Sequence, residues 1–214
     1  MPTSDYHHIP DVLHIVEQLR PKSILDIGIG FGIFGYLYRQ VLELYQGINL
    51  KGSDLIVDGI EIFADLNNPL WEMVYNNVFI GDALTLLDNL RHYDLITACD
   101  IIEHLSKDEG KILIKKMLKH ADIIIITSPR SFIKSEASFG DIYDIHKTLW
   151  SKDDFKGIPH LYKDIGFTFM VIASLDKERL KSINILSPLD VLGVKKGFRE
   201  LIKFSFKRLK LKFR

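Results

Sequence analysis

Apolar side chains recur along the chain with two periods, and the alternation between them predicts the fold. Over residues 10–20, PDVLHIVEQLR, the side chains of Val12, Leu13, Ile15, Val16 and Leu19 fall at helical spacing behind a proline suited to a first turn. Residues 23–27 form a short apolar run, and over 33–45 helical spacing returns through Phe34, Leu37, Val41, Leu42 and Tyr45. Further runs, apolar on both faces, follow at 60–63, 78–80, 95–99 and 123–127, separated by helix-like stretches such as 107–119. Such strands alternating with helices predict an α/β fold, a Rossmann-like, doubly wound, mostly parallel sheet. Residues 167–173 and 183–186 lie too close together for a crossover helix. The seven-stranded sheet is therefore expected to end in an antiparallel hairpin.

Composition narrows this picture. At 214 residues with 47% hydrophobic side chains, the chain supports one domain around a single core. The one cysteine, Cys99, sits in an apolar run and cannot form an internal disulfide, so a cytoplasmic enzyme is expected. The N-terminal stretch lacks the pattern of a signal peptide, and no apolar stretch approaches the roughly 18 residues of a membrane-spanning helix. A net charge of zero hides a division: from Gly193 onward nine basic residues face one acid, leaving 19 basic and 27 acidic residues elsewhere. Residues 1–192 are accordingly read as the domain and 193–214 as a basic amphipathic tail.

In doubly wound folds ligands bind outside the carboxyl ends of the strands, which directs attention to residues 26–32, Glu61, Asp82, 100–104 and 128–130. The first group carries the densest signal, ILDIGIGFGIFG, with glycines at 28, 30, 32 and 35. Glycines this close together remove side chains where a ligand approaches the backbone, or they form a tight turn. One frame, Gly30 to Gly35, matches the G-x-G-x-x-G of dinucleotide binders. The other, DIGIGFG from Asp26 to Gly32, resembles the first motif of class I S-adenosylmethionine-dependent methyltransferases. A carboxylate at Asp26 would repel a pyrophosphate but suits a loop around an ammonium group, which favours the second frame.

That resemblance implies S-adenosylmethionine as cofactor, held by Asp26, Gly28, Gly30 and Gly32. It also implies that Glu61 holds the ribose hydroxyls, although Glu61 lies 35 residues after Asp26, so that residues 47–58 have to be an insertion. Asp54 and Asp58 compete for this role. Gly81-Asp82-Ala83 resembles the family's third motif, with Asp82 accepting from the adenine amino group and Ala83 donating its N–H to a ring nitrogen; Asp82 also suits a helix cap. Tyr93-Asp94-Leu95-Ile96 looks like the fourth strand, with Asp94 structural, and Asp164-Ile165-Gly166-Phe167 resembles the turn before the last hairpin.

Asp100-Ile101-Ile102-Glu103-His104 follows the fourth strand, where the resemblance places the methyl acceptor, with Asp100 against the cofactor. A helical turn starting there would put Asp100, Glu103 and His104 on one side. This spacing resembles the metal-binding acid-x-x-Glu-His of ubiquinone-type O-methyltransferases and small-RNA 2′-O-methyltransferases, with His146 as the further histidine. Such a site would hold a divalent metal through Asp100, Glu103, His104 and His146. Glu-His after this strand is also common in family members without a metal, so the site is read without one. Glu103, His104 and His146 are the catalytic candidates, one histidine acting as general base. Ser128-Pro129-Arg130 and the polar stretch 131–143 are expected to shape the acceptor pocket, where Arg130 is either an anion-recognising residue or a surface arginine.

The resemblance implies an S-adenosylmethionine-dependent methyltransferase, O-directed on a small-molecule or saccharide acceptor, including lipid-linked ones. Alternatives are an RNA-directed 2′-O-methyltransferase, an NAD-dependent oxidoreductase and a non-catalytic cofactor-binding subunit. The tail, rich in phenylalanine and lysine, suits an accessory helix on the domain or an anionic membrane surface, which would place the protein at the inner face of a membrane. Nucleic acid is a second polyanion it could meet, disfavoured by the acidic body.

Overall fold

The computed structural model describes residues 6–132, 140–186 and 190. The tail expected at 193–214 lies outside the described residues, as do residues 133–139 of the expected pocket segment. The chain divides into two compact units, Met1–Ile183 and Asn184–Arg214, and the fold below is that of the first. No helix among the described residues is long and apolar enough to cross a membrane.

Seven strands form one sheet: β1 (Ser23–Ile27), β2 (Ile56–Glu61), β3 (Asn77–Ile80), β4 (Tyr93–Cys99), β5 (Ala121–Pro129), β6 (His160–Asp164) and β7 (Thr168–Ala173). Their order is β3-β2-β1-β4-β5-β7-β6. β1 to β5 run parallel, and β7 is antiparallel to both β5 and β6. This is the Rossmann-like, doubly wound sheet ending in an antiparallel hairpin. The order reverses between β1 and β4, so a ligand crevice is expected beyond their carboxyl ends. β1 and β7 are buried along their whole length, as strands covered on both faces must be.

Helices α1 (Ile9–Leu19), α2 (Ile33–Leu42), α3 (Pro69–Val74), α4 (Ala83–Leu86), α5 (Lys107–His120) and α6 (Lys177–Lys181) complete the unit. Local chemistry sets their ends. Asp82 caps α4 by accepting from the Leu84 N–H at 2.8 Å, and Ser106 with Glu109 forms a reciprocal capping box on α5. A buried ion pair, Lys163 Nζ to Asp11 Oδ1 at 2.8 Å, joins β6 to α1.

Two expectations are corrected. The partner of β7 in the hairpin is β6, not residues 183–186, which carry no strand. β6 is an edge strand, HLYKD, half-buried over its first three residues with Lys163 buried and Asp164 exposed, so its sequence lacks the apolar run that marks the central strands. The expected insertion 47–58 also ends earlier, because β2 begins at Ile56 and already contains Asp58. Glu43 organises the loop before it: Ser53 Oγ donates to Oε1 at 2.6 Å, while Lys51 N–H and Arg39 Nη1 donate to Oε2 at 3.1 and 3.0 Å.

The core on the α5 side closes around Trp150, whose indole N–H donates to the Ile102 carbonyl at 2.8 Å. Gly110 in α5 makes room for it, since a Cβ there would lie 2.3 Å from Trp150 Cζ2. Alanine gains about 1 kcal/mol in helix propensity over glycine, whereas overpacking a rigid buried indole costs about 1–3 kcal/mol. Gly110→Ala is therefore expected to lower the unfolding free energy in urea. A stabilised variant would contradict this packing.

Candidate active site

The turn after β1 is built to lie flat. Gly28, Gly30 and Gly32 all have positive φ (+73°, +51° and +91°), and a Cβ on Gly28 would fall 2.0 Å from Ile101 Cδ1. Hydrogen bonds fix each step: Gly28 N–H donates to the Ile60 carbonyl at 2.9 Å, Gly30 N–H to Glu61 Oε2 at 2.8 Å, and the Trp71 indole N–H to the Gly30 carbonyl at 2.8 Å.

Beyond this turn opens a cavity of about 610 Å³ at the carboxyl ends of β1 to β5, within the ordinary range for small-molecule sites. Gly28, Gly30, Glu61, Asp82, Ala83, Asp100, Glu103, His104 and His146 all border it. Asp26 and Gly32 do not. Asp26 is buried behind the turn, where the hydroxyls of Tyr75 and Thr97 donate to its two carboxyl oxygens at 2.8 and 2.9 Å. Tyr75 Oη in turn accepts the Gly35 N–H at 3.2 Å, and Tyr38 donates to Thr97 at 3.0 Å. Asp26 thus supports the loop from beneath, its oxygens turned to the core. Gly32 packs against Trp71.

Glu61 fills three acceptor positions with backbone: Gly30 N–H on Oε2, and Ile62 and Phe63 N–H on Oε1 at 2.9 and 3.0 Å. Burial raises its pKa against the pull of these bonds. Its rivals are placed elsewhere. Asp58 is buried inside β2, bound by the Asn77 backbone and side chain and by the Tyr93 hydroxyl. Asp54 borders a separate cavity of about 290 Å³ with Glu17 and Arg20. Asp94 accepts the N–H groups of Lys22 and Ser23, a structural role.

At the other end the expected helical turn from Asp100 does not form. Asp100 takes a left-handed backbone, φ +55°, and only Ile102–His104 make a short 3-10 turn. The left-handed residue breaks the phase, so Asp100 turns toward β5 and α1: Thr127 Oγ1 donates to Oδ1 at 3.2 Å, and His8 Nε2 lies 3.8 Å from Oδ2. Glu103, His104 and His146 do converge, with one ligand atom from each within 4.8 Å of the others. The two imidazoles meet edge to face at 4.7 Å. Glu103 is buried with Ser128 Oγ donating to Oε2 at 3.0 Å, while its Oε1 has no hydrogen-bond partner. Burial, then the charge of Asp100, pushes the Glu103 carboxyl well above the usual range. Burial, with His146 beside it, holds the His104 imidazole down at about 4. Burial thus disfavours the charged form of Glu103, and His104 keeps a free lone pair at neutral pH. Arg130 is paired with Asp164 at 2.7 Å on the surface, which corresponds to the surface-arginine alternative.

Several participants carry no signal in the sequence. His8, Trp71, Tyr75 and Thr97 reach the site from distant segments. Asp141 and Asp144, which border the cavity, sit in a polar stretch where acids are ordinary.

A glycine turn, a strand-end carboxylate and a deep cavity at the switch point of this sheet are the construction of a class I methyltransferase fold. Solved structures agree. The chain resembles the methyltransferase domain of bacterial CtHen1 (15% identity, TM-score 0.54, 79% of this chain and 98% of that one). It also resembles an S-adenosylmethionine-dependent methyltransferase from Archaeoglobus fulgidus (20%, 0.51, 79% and 99%) and an O-methyltransferase family protein from Burkholderia thailandensis (14%, 0.52, 77% and 54%). The chain belongs to the family described as mitochondrial small ribosomal subunit Rsm22, whose model matches residues 6–136. No curated protein matches it in sequence.

The buried network under the loop has a measurable consequence. Burial pushes Asp26 up to about 7 from 3.8, more than the bonds from Tyr75 and Thr97 lower it. Its folded pKa is raised, so the native state binds this proton more tightly than the unfolded chain, and stability is lost as pH rises toward 7. Between pH 5 and pH 8 this group alone removes about 2–3 kcal/mol. Asp26→Asn is expected to flatten that slope in urea titrations at the two pH values. An unchanged slope would show that Asp26 is not the titrating group.

Proposed function

We propose that the protein is an S-adenosylmethionine-dependent methyltransferase directed to an oxygen atom of its acceptor. One observation carries this reading: a single cavity runs from the cofactor-type residues Glu61 and Asp82 to the Glu103, His104 and His146 cluster, on opposite sides of the switch point. S-adenosylmethionine, when bound, supplies an electrophilic methyl group on a cationic sulfonium. The charge of the cavity favours such a cation, since Glu61, Asp82, Asp100, Asp141 and Asp144 border it together with Lys147. The same charge disfavours the pyrophosphate of NAD, the ligand of the oxidoreductase alternative.

The residues divide the work. The flat glycine turn lets the cofactor approach the backbone, Glu61 offers its remaining acceptor positions to the ribose hydroxyls, and Asp82 with Ala83 borders the adenine end. Glu103, whose charged form burial disfavours, orients the acceptor by hydrogen bonding. His104 takes the proton of the acceptor hydroxyl as the oxygen–carbon bond forms and the carbon–sulfur bond breaks. Methyl transfer is an in-line displacement, so positioning and proton removal are the protein's main contributions.

Glu103, His104 and His146 also fit a divalent cation, because Glu103 Oε1 and His104 Nδ1 are buried without hydrogen-bond partners and the three side chains converge. Asp100 lies outside this group. In that second reading the ion would bind the acceptor hydroxyl and lower its pKa. The family description names a small ribosomal subunit, which supports an acceptor within a ribosomal particle, with the basic tail meeting its polyanion; the membrane surface remains the competing partner for the tail.

Two measurements test the site. Asp82→Ala is expected to weaken S-adenosylhomocysteine binding by about 1–3 kcal/mol in calorimetry through a lost hydrogen bond. Unchanged affinity would remove Asp82 from the adenine site. Radiolabelled methyl transfer from S-adenosylmethionine to fractionated small-molecule, glycan and RNA pools should fall about 100-fold or more in His104→Ala, while cofactor affinity holds within twofold. Activity that survives this change would refute His104 as base, and turnover abolished by EDTA and restored by Mn²⁺ would favour the metal reading.

A further inference from the structure

The acceptor half of the cavity carries exposed aromatic side chains whose exposure the methyltransferase chemistry does not explain. Tyr6 and Phe167 both border the cavity and are 67% and 48% exposed. They are not isolated. Tyr6 stacks on His7 with ring centroids 4.1 Å apart, and His7 lies 5.2 Å from Phe167. Tyr6 and Phe167 form a ledge along one wall of the cavity, with His7 in contact with both behind it.

Both ends of this ledge are anchored. His8, next to His7, is fully buried between Thr127 and Asp100 and stacks on Phe34. Phe167 sits in the turn between β6 and β7, where Arg130 N–H donates to its carbonyl at 2.9 Å and Arg130 Nη1 donates to the Gly166 carbonyl at 3.3 Å. Rings held on rigid backbone while left open to solvent are suited to stacking a flat ligand. Thr168 lies at the foot of the ledge, borders the cavity and is 1% exposed, and its Oγ1 has no hydrogen-bond partner. A buried hydroxyl without a partner is costly unless a ligand supplies one.

The position separates this ledge from the cofactor's own adenine. Thr168 pairs with Pro129 across β7 and β5, whereas Asp82 follows β3, with β2, β1 and β4 between the two sides. The carboxylates of the interior repel anionic rings.

We propose that Tyr6 and Phe167, with His7 behind them, form a stacking ledge that takes the planar, uncharged ring of a nucleobase belonging to the acceptor, with Thr168 Oγ1 bonding to the edge of that ring. The assignment of this half of the cavity to the acceptor rests on the methyltransferase reading. The ring arrives on a free nucleoside or on a single-stranded RNA, and both present the same face.

The test uses the full chain saturated with S-adenosylhomocysteine, which blocks the adenine end. Cytidine and a single-stranded pentaribonucleotide are titrated separately, with saturation-transfer NMR and calorimetry as readouts. Cytidine or the pentanucleotide should bind, the tighter of the two identifying the source. Phe167→Ala should weaken binding about fivefold or more, Phe167→Trp should preserve it, and Thr168→Val should weaken it severalfold. Retained S-adenosylhomocysteine affinity shows that each variant is folded. Absence of binding by both probes, or an unchanged affinity in Phe167→Ala, overturns the ledge. Failure of wild type to bind S-adenosylhomocysteine refutes the cofactor reading instead, and the Phe167 dependence of cytidine binding still decides the ledge.

Discussion

A carboxylate buried at the end of a strand must find hydrogen-bond donors, and Glu61 finds three in the backbone of its own turn and of the turn after β1. This constraint ties the first two strands together at the place where the sheet order reverses. Without it the glycine turn would have freedom to spare, since glycines lose more conformational entropy on ordering than other residues. A second set of bonds acts from below. Asp26, Tyr75 and Thr97 bring β1, β4 and the residue after α3 to one buried point, and Tyr75 also receives the N–H of Gly35 at the start of α2. The wall that borders the cavity is therefore held from two directions by buried groups.

The division of labour between the two aspartate and glutamate positions follows from burial. Asp26 is 2% exposed and shares its oxygens with hydroxyls, so its work is to shape the turn. Glu61 is nearly as buried but borders the cavity, leaving an edge of its carboxylate for a ligand. On the far side burial disfavours the charged form of Glu103 and keeps His104 unprotonated at neutral pH.

The central strands were legible in the sequence because both faces of β1, β4 and β5 are buried and their residues are almost uniformly apolar. β6 was hidden because an edge strand needs apolar residues on only one face, and HLYKD reads as a turn region. The positions of Glu61, Asp82, Glu103 and His104 at strand ends followed from the sheet rule alone. The fate of Asp26 did not, since its partners Tyr75 and Thr97 are 49 and 71 residues away. Asp100 shows a second limit. Helical spacing put it beside Glu103 and His104, but a single left-handed backbone residue redirected it to Thr127 and His8, and nothing in the sequence of an aspartate announces that conformation.

The claim on which the account rests is that this cavity holds a sulfonium cofactor rather than a dinucleotide. Calorimetric titration of the full chain with S-adenosylmethionine, S-adenosylhomocysteine and NADH tests it most directly. The account predicts micromolar binding of the first two and none of NADH, and binding of NADH alone would contradict it.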